Sequence, residues 1–255
     1  MVNIKTINYR IRFLQDISFK ESPEIAFFKA IYRRLKNIIC IKSNEDCKIC
    51  SHRPKCLYSY LSAEDFQHIS SMPVIIKRPL FTKKTIQADE LIDLKITFLG
   101  DAAKHMDFFN YILKEFEVRG LFRERYKFII VNRKIEELDK VNKESQISSI
   151  KILTPIERKD QIFTAEKEKL DKLNELYHIT DKPIESIETP YDFHAVRFKI
   201  NNPIYIGVNK LIQEGYVGTI KFVEPITKTY LLDLISLIGA GQLYSIGGGA
   251  TKVIY

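Results

Sequence analysis

The sequence has no tryptophan, only three methionines, and no long apolar run. A membrane-spanning helix needs about 20 consecutive apolar residues, and no segment approaches that length. The N-terminal stretch MVNIKTINYRIRF alternates charged and apolar side chains, so it also lacks the apolar region of a signal peptide. We therefore expect a cytoplasmic protein that does not associate with membranes, and in that compartment thiols stay reduced.

Two common phosphate-binding motifs are also missing. The C-terminal stretch SIGGGATKVIY contains Gly247, Gly248 and Gly249, but it has neither the spacing nor the Lys-Ser or Lys-Thr ending of a Walker loop. It lies in no βαβ unit followed by an acidic residue, which excludes a dinucleotide-binding fingerprint. Two interpretations stay open. The segment is either a flexible turn before a last strand, or a loop whose backbone amides approach a phosphate beside Lys252.

Basic residues outnumber acidic ones, with 40 Lys and Arg against 32 Asp and Glu, a formal net charge of +8. This excess is typical of proteins that bind a polyanion, although a well-solvated surface would give the same balance. Three basic clusters favour the binding interpretation: Arg33, Arg34 and Lys36; Arg119, Arg123, Arg125 and Lys127; and Lys77, Arg78, Lys83 and Lys84. Such clusters neutralise phosphates and make affinity dependent on salt.

The order of elements predicts an α+β fold. Alternating apolar residues predict a strand at 4–14, and Ser22-Pro23-Glu24 is typical of the start of a helix. Strands at 73–80 and 91–100, a helix ending at Gly120 and a strand at 125–135 follow. This βαββαβ order is that of a ferredoxin-like, RRM-like domain. We predict such a domain at residues 1–140, with the cysteine segment 40–56 inserted and a charged linker at 136–146.

The second half repeats the order of elements without repeating the residues. A strand at 147–156, a helix of mixed charge, two further strands, a helix ending at Gly239 and a terminal strand are predicted. The simplest interpretation is two tandem ferredoxin-like domains, the second at residues 147–255 and carrying the glycine-rich loop.

All four cysteines lie within 17 residues, CIKSNEDCKICSHRPKC. Cys47 and Cys50 have the spacing of a metal-ligand pair, and Cys40 and Cys56 complete a set of four thiols. The usual double CxxC arrangement is absent. We predict a structural zinc ion or a redox-sensitive cross-link that fixes the loop. His52 in place of Cys40, free buried thiols and an iron–sulfur cluster remain alternatives.

Three stretches resemble the RAMP superfamily of CRISPR-associated proteins, and more narrowly its endoribonucleases that process precursor RNA. The first is FFKAIYRRLKNIIC leading into CKICSHRPKCLYSYL, and the second is LIDLKITFLGDAAKHMDFFNYILKEFEVRGLF. The third is YVGTIKFVEPITKTYLLDLISLIGAGQLYSIGGGATKVIY, although Val253 and Ile254 stand where family members commonly carry further glycines. Residues 156–210 show no resemblance.

This resemblance implies metal-independent cleavage of CRISPR repeat RNA by attack of a ribose 2′-hydroxyl on the adjacent phosphate. The products would be a 2′,3′-cyclic phosphate and a 5′-hydroxyl. Such a reaction needs a base, an acid and a cation, and histidine suits the first two tasks. His52 lies in the region where the family usually carries its histidine. The predicted catalytic residues are therefore His52, Tyr32 and Lys55, with Tyr58 a further hydrogen-bond donor; His68, His105, His178 and His194 are the other histidines.

The predicted RNA-binding residues are Arg33, Arg34, Lys36, Arg53, Arg119, Arg123, Arg125, Gly247, Gly248, Gly249 and Lys252. The partners implied are CRISPR precursor RNA, subunits of a CRISPR effector complex and a second copy of the chain. Catalysis requires no cofactor on this interpretation. The alternative function is a non-catalytic subunit that carries guide RNA. A general RNA-binding protein of the RRM type is less consistent with the sequence, because no RNP-type aromatic motif is present.

Overall fold

Two four-stranded antiparallel sheets form the framework of the chain. The structure is a computed structural model that describes residues 2–42, 45–78, 83–122, 126–137, 146–200, 203–227 and 229–255. Its strands are β1 (Ile4–Phe13), β2 (Ile17–Ser18), β3 (Val74–Lys77), β4 (Thr85–Ile86), β5 (Leu91–Leu99), β6 (Phe128–Glu137), β7 (Gln146–Ile156), β8 (Tyr191–Lys199), β9 (Ile204–Ile206), β10 (Asn209–Leu211), β11 (Glu214–Thr227) and β12 (Thr251–Ile254). Its helical segments are α1 (Pro23–Ile39), α2 (Leu57–Leu61), α3 (Ala63–Phe66, a single turn), α4 (Met106–Arg119), α5 (Ile162–Tyr177) and α6 (Tyr230–Ile238).

The first helix begins where the sequence indicates. Ser22 caps α1 by accepting a hydrogen bond from the amide of Ile25 at 3.4 Å, and proline occupies the first helical position. The apolar stripe that contains Phe27, Ile31 and Leu35 is fully buried. Helix α1 therefore packs onto the sheet through this stripe and leaves a basic side at the surface.

Both sheets have the strand order of a ferredoxin-like fold. The first runs β3-β5-β1-β6 and the second β12-β7-β11-β8, so in each half the first strand lies between the third and the fourth. The element order βαββαβ occurs in both halves once the small hairpins β2-β4 and β9-β10 are set aside. The predicted α+β class, two tandem ferredoxin-like units, is confirmed.

Some predicted bounds differ from the observed ones. Strand β3 ends at Lys77, and residues 79–82 lie outside the described part. A 3-10 segment, Gly100–His105, precedes α4 where a longer α-helix was predicted. Most of the predicted linker also lies outside the described residues, and the domain bounds 1–140 and 147–255 stay predictions.

The two halves share a buried boundary. Ile204, Ile206 and Ile246 pack into the core of the first half, and Ile75 and Leu99 pack into that of the second. Tyrosine hydroxyls of the second half also donate to carbonyls of the segment that precedes β3. The halves are therefore held against each other by apolar burial and hydrogen bonds. In the described part of the chain no helix is long and apolar enough to cross a membrane.

Candidate nucleic-acid interface

A row of polar side chains crosses the first sheet on the face away from its helices. Lys77 is directly opposite Lys95, Lys95 is opposite Asn8, and Asn8 is opposite Lys134. Neighbouring strands are about 4.8 Å apart, so this row spans all four strands. Within the described residues no carboxylate pairs with Lys77 or Lys95. Two like charges placed directly opposite each other destabilise a sheet unless an anion compensates them.

The second sheet carries a matching row. Lys252 on β12 is opposite Lys151 on β7, followed by Thr219 and His194 on the next two strands. Again, no ion pair joins either lysine to a carboxylate within the described part of the chain. Lys252, one of the predicted RNA-binding residues, is exposed here. Each sheet thus presents one uncompensated pair of lysines.

A cavity of about 500 Å³ lies beside Lys77 and Lys95. Burial, reinforced by the charge of Lys95, lowers the pKa of Lys77 from 10.5 to about 8. Of the three carboxylates at this cavity, Asp93 pairs with Arg10 at 3.2 Å and Glu90 pairs with Lys83 at 2.7 Å, whereas Glu24 is buried and one of its oxygens has no hydrogen-bond partner among the described residues. Lys77 and Lys95 form no ion pair with any of the three, so they are the lysines available to an incoming anion.

The glycine-rich loop is closed by its own backbone. The amide of Gly247 donates to the carbonyl of Tyr244 at 3.0 Å, and the amide of Gly248 donates to that of Leu243 at 2.8 Å. A Cβ on Gly249 would lie 1.6 Å from the carbonyl oxygen of Ala240. This corrects part of the prediction, because the first two amides are already hydrogen-bonded and do not face a phosphate. Contact between RNA and other atoms of the loop stays a prediction.

Two charged residues of α5 anchor the same loop. The Lys169 ammonium donates to the carbonyls of Gly239 at 2.8 Å and Gly241 at 3.2 Å, and it forms an ion pair with Glu166. Glu166 in turn accepts from the amide of Gly241 at 2.6 Å. Sequence analysis missed both residues, since a pair of opposite charges three positions apart on a helix is usually a solvated surface feature.

The cysteine segment presents its basic residues to solvent. His52 and Lys55 are exposed, and His52 precedes the 3-10 turn Arg53–Lys55 without a side-chain bond to it. Arg53 forms an ion pair with Glu64 at 3.3 Å. The exposure of His52 and Lys55 leaves their predicted catalytic role open, and it stays a prediction.

Tyr32 requires a correction. Its side chain is 1% exposed, and its hydroxyl donates to the carbonyl of Leu61 at 2.9 Å. Burial raises the pKa of Tyr32 well above its ordinary value of 10. A side chain that is enclosed by the core and already hydrogen-bonded cannot reach a phosphate, so the prediction of a catalytic role for Tyr32 is wrong.

The four cysteines are unpaired thiols. Cys47 is buried, and burial raises the pKa of its thiol, while Cys40, Cys50 and Cys56 are half-buried. Among the described residues, no three His, Cys, Asp or Glu side chains are grouped closely enough to hold a metal ion. As arranged here the four thiols do not fit a zinc ion, and the structural zinc stays a prediction.

The other predicted RNA-binding residues divide by their partners. Glu115 of α4 pairs with Arg34 of α1 at 2.8 Å and with Arg119 of α4 at 3.0 Å. The pair with Arg34 therefore joins α1 to α4. Lys36 pairs with Asp65 at 2.7 Å. Arg33 is exposed. The two predicted residues Arg123 and Arg125 lie outside the described residues.

Two neighbouring cavities lie where the halves meet. One, of about 270 Å³, is lined by Arg158, Lys169 and Gly241, and the other, of about 480 Å³, by Arg53 and His68. Ser71 and Lys172 line both. Their walls therefore combine cations, a histidine and the anchored end of the glycine-rich loop. Sequence analysis named His68 only as one of five histidines, because no recognisable element surrounded it.

Comparison with known proteins agrees with this architecture. Residues 2–172 match the family model described as AF_1859_N, N-terminal domain, which is more than half of the chain. The chain belongs to the AF_1859_N family. The cysteine segment and His68 itself fall within the matched residues. No curated protein matches the sequence of this AF_1859_N member.

Solved structures share the fold across nearly the whole of this AF_1859_N chain. A Cas6 product complex is 13% identical, with 98% of this chain and 99% of that chain covered and a TM-score of 0.55. A Cas6-related protein from Pyrococcus furiosus is 13% identical, with 99% of both chains covered and a TM-score of 0.52. A RAMP protein described as binding different RNA substrates is 10% identical, with 98% and 100% covered and a TM-score of 0.50. At these identities the likeness establishes the fold, which this chain shares with these Cas6 and RAMP structures.

Proposed function

We propose that this protein binds CRISPR repeat RNA and cuts it within the repeat without a metal ion. A ribose 2′-hydroxyl attacks the adjacent phosphate, which leaves a 2′,3′-cyclic phosphate and a 5′-hydroxyl. The fold shared with Cas6 and RAMP-type proteins supports this proposal, and one of those structures is a Cas6 product complex.

The observation that carries the RNA-binding part is the uncompensated pair of lysines on each sheet. Lys77 and Lys95 on one sheet, and Lys151 and Lys252 on the other, face each other across adjacent strands. Phosphate oxygens would neutralise both pairs at once. Successive phosphates of a single strand suit such rows, because binding of this kind follows the backbone and needs no particular base.

The cutting part needs groups that move protons and cations that stabilise the phosphorane. His52 and Lys55 stay the residues predicted from sequence for these roles, and exposed Arg33, Arg53 and Lys252 are the predicted phosphate contacts. Effector-complex subunits and a second copy of the chain stay predicted partners. One of the structures with this fold is part of a Cas6-RT-Cas1–Cas2 complex.

The experiment uses end-labelled repeat RNA incubated with the wild-type protein in EDTA. Matched RNA carries a single 2′-deoxyribose at the mapped cleavage position. We expect one cut in the all-ribose RNA, a cyclic phosphate at its 3′ end, and no cut at the deoxy position. His52→Ala is run beside the wild type to test the residue predicted from sequence.

Other outcomes would decide against the proposal in different ways. Tight binding without any cut would make the protein a carrier of guide RNA, which is the alternative function. Cutting that stops in EDTA and returns with magnesium would overturn the metal-independent mechanism. Absence of salt-dependent binding to any repeat RNA would overturn the RNA-binding part as well.

A further inference from the structure

Four consecutive residues before His68 have left-handed backbone conformations. Ala63, Glu64, Asp65 and Phe66, which form α3, have φ values of 46°, 60°, 56° and 67°. None of them is glycine, and a left-handed conformation costs an L-residue about 1–2 kcal/mol. Strain of this size persists only where the surroundings enforce it, and it concentrates at functional sites.

Several contacts enforce this turn. The Ser62 hydroxyl accepts from the amide of Asp65 at 2.9 Å and donates to the carbonyl of Tyr58 at 2.7 Å. The Asp65 carboxylate accepts from the hydroxyl of Tyr58 at 2.5 Å and from the ammonium of Lys36 at 2.7 Å. The ring of Phe66 packs against those of Phe28 and Tyr32 in the core. The side-chain amide of Asn209, in the second half, donates a hydrogen bond to the carbonyl of Phe66 at 2.7 Å.

The strained turn determines what faces the cavity of about 480 Å³ where the halves meet. Its residues Ala63 and Glu64 line that cavity, and so does His68, two residues after the turn. A carboxylate oxygen of Glu64 lies 3.6 Å from Nε2 of His68 and 3.3 Å from a guanidinium nitrogen of Arg53. The side chain of His68 is 61% exposed, so a substrate can reach it.

The second half also lines this cavity and adds a cation. Lys172 and Tyr177 of α5 line this cavity, and Lys172 is exposed. Tyr60 lines it too, and its buried hydroxyl has no hydrogen-bond partner among the described residues. The cavity volume lies within the roughly 300–1,000 Å³ usual for ligand sites. A histidine, two cations and an unsatisfied hydroxyl thus converge on one concave site.

We propose that His68 transfers the proton in the RNA cleavage, with Arg53 and Lys172 on either side of the reacting phosphate. This inference rests on the proposed function and names its catalytic site. Histidine both takes up and gives up protons near neutral pH, whereas the two cations stabilise the negative charge that develops on the phosphorane.

The step is balanced without a metal, water or redox partner. The imidazole removes the proton from the 2′-hydroxyl as the bond from the 2′ oxygen to phosphorus forms. The bond from phosphorus to the 5′ oxygen breaks, and the imidazolium of His68 returns the proton to that oxygen as it leaves. The products are the cyclic phosphate and the free 5′-hydroxyl, so the number of protons and electrons is unchanged.

The test compares His68→Gln with His52→Ala and a control, His178→Asn. Glutamine keeps a polar group at the position of the imidazole without its proton chemistry. His178 lies elsewhere on the surface in a left-handed conformation that asparagine tolerates. Single-turnover cleavage and RNA affinity are measured for each. We expect His68→Gln to slow cleavage by about 10²–10⁴-fold, the range for general acid–base residues, with affinity changed by less than about threefold.

A second measurement separates catalysis from structure. His68→Ala opens a space that reaches solvent, so added imidazole should restore part of its cleavage rate and leave that of the wild type unchanged. Cleavage by His68→Gln at the wild-type rate would overturn the inference while the proposed function stands. Loss of cleavage in His52→Ala alone would do the same and would assign the proton transfer to His52. A wild-type protein that binds repeat RNA without cutting it would overturn both proposals.

Discussion

The guanidinium of Arg78, at the end of β3, donates a hydrogen bond to the carbonyl oxygen of Ile246 in the glycine-rich loop at 2.7 Å. These residues are 168 positions apart in the sequence. A second nitrogen of Arg78 donates to the side-chain oxygen of Gln213 at 2.6 Å. The side chain of Arg78 in the first half therefore forms hydrogen bonds to two segments of the second half.

Replacing Arg78 should lower the stability of the folded protein. Hydrogen bonds that involve a charged group contribute about 1.5–3 kcal/mol each, and the carbonyl left behind would lose its partner. We expect Arg78→Met to lower the free energy of unfolding by about 2–3 kcal/mol. Urea denaturation measures this free energy of unfolding. The control Arg197→Met breaks an exposed pair with Glu214 and should cost less than about 1 kcal/mol. Equal losses of unfolding free energy in the two variants would contradict the proposed role of Arg78 in holding the halves together.

RNA affinity should depend on the protonation of Lys77. In the folded protein the pKa of Lys77 is about 8, against an ordinary value of 10.5. Between pH 8 and 10.5 the folded protein has therefore largely lost this proton, whereas the unfolded chain retains it. Stability therefore gains from rising pH in that window, whereas attraction for phosphate is lost above pH 8. We expect affinity to fall by up to about tenfold per pH unit above 8.

Fluorescence anisotropy with labelled RNA at constant ionic strength measures this fall. Lys77→Arg keeps its charge at these pH values and should remove most of the decline. The control Lys114→Arg changes an exposed lysine of α4 and should leave the decline unchanged. A decline that is the same in all three proteins would mean that Lys77 is not the titrating group and would overturn this prediction.

The left-handed turn predicts that a substitution by glycine, which usually lowers stability, will not lower it here. Glycine adopts positive φ without a steric penalty, so Ala63→Gly should relieve strain that the added freedom of the unfolded chain only partly offsets. We expect unchanged stability or a gain of up to about 1 kcal/mol. Ala30→Gly, also at a buried alanine but inside α1, should lose about 1 kcal/mol. Thermal denaturation of both variants checks this, and equal losses would mean that Ala63 is not strained.

Removing the hydroxyl of Tyr32 should separate stability from catalysis. The carbonyl of Leu61 would be left buried without its donor, so Tyr32→Phe should cost about 1 kcal/mol. The rate of RNA cleavage at saturating protein should stay within about twofold, since the ring remains in the core. Tyr111→Phe, at a side chain that is 59% exposed, should change neither quantity. A large loss of cleavage in Tyr32→Phe with intact folding would restore the catalytic role that we have rejected.

Local sequence signals determined the framework. The serine cap and proline at Ser22-Pro23, the alternation along 4–14 and the apolar stripe of α1 each act between residues close in the sequence, and the structure has all three. The order βαββαβ in both halves followed from such signals alone. Gly120, where α4 ends, has a φ of 78° and was recognisable for the same reason.

Tertiary packing decided which predicted residues face solvent. Tyr32 is buried because the rings of Phe66 and Phe109 and the carbonyl of Leu61 contact it from other parts of the chain. The amides of Gly247 and Gly248, by contrast, are taken up locally by the carbonyls of Tyr244 and Leu243. The burial of Tyr32 has no signal in the residues next to it.

The sequence by itself determined the fold class, the basic character and the place where chemistry was to be sought. Periodicity, helix caps and net charge are properties of the chain that hold in any conformation. Only the tertiary structure brought Lys172 of the second half to the cavity that Arg53 and His68 of the first half line, and aligned Lys151 with Lys252 across adjacent strands. Residues over a hundred positions apart meet there because two sheets and their helices bury a shared boundary, a relation that no local pattern encodes.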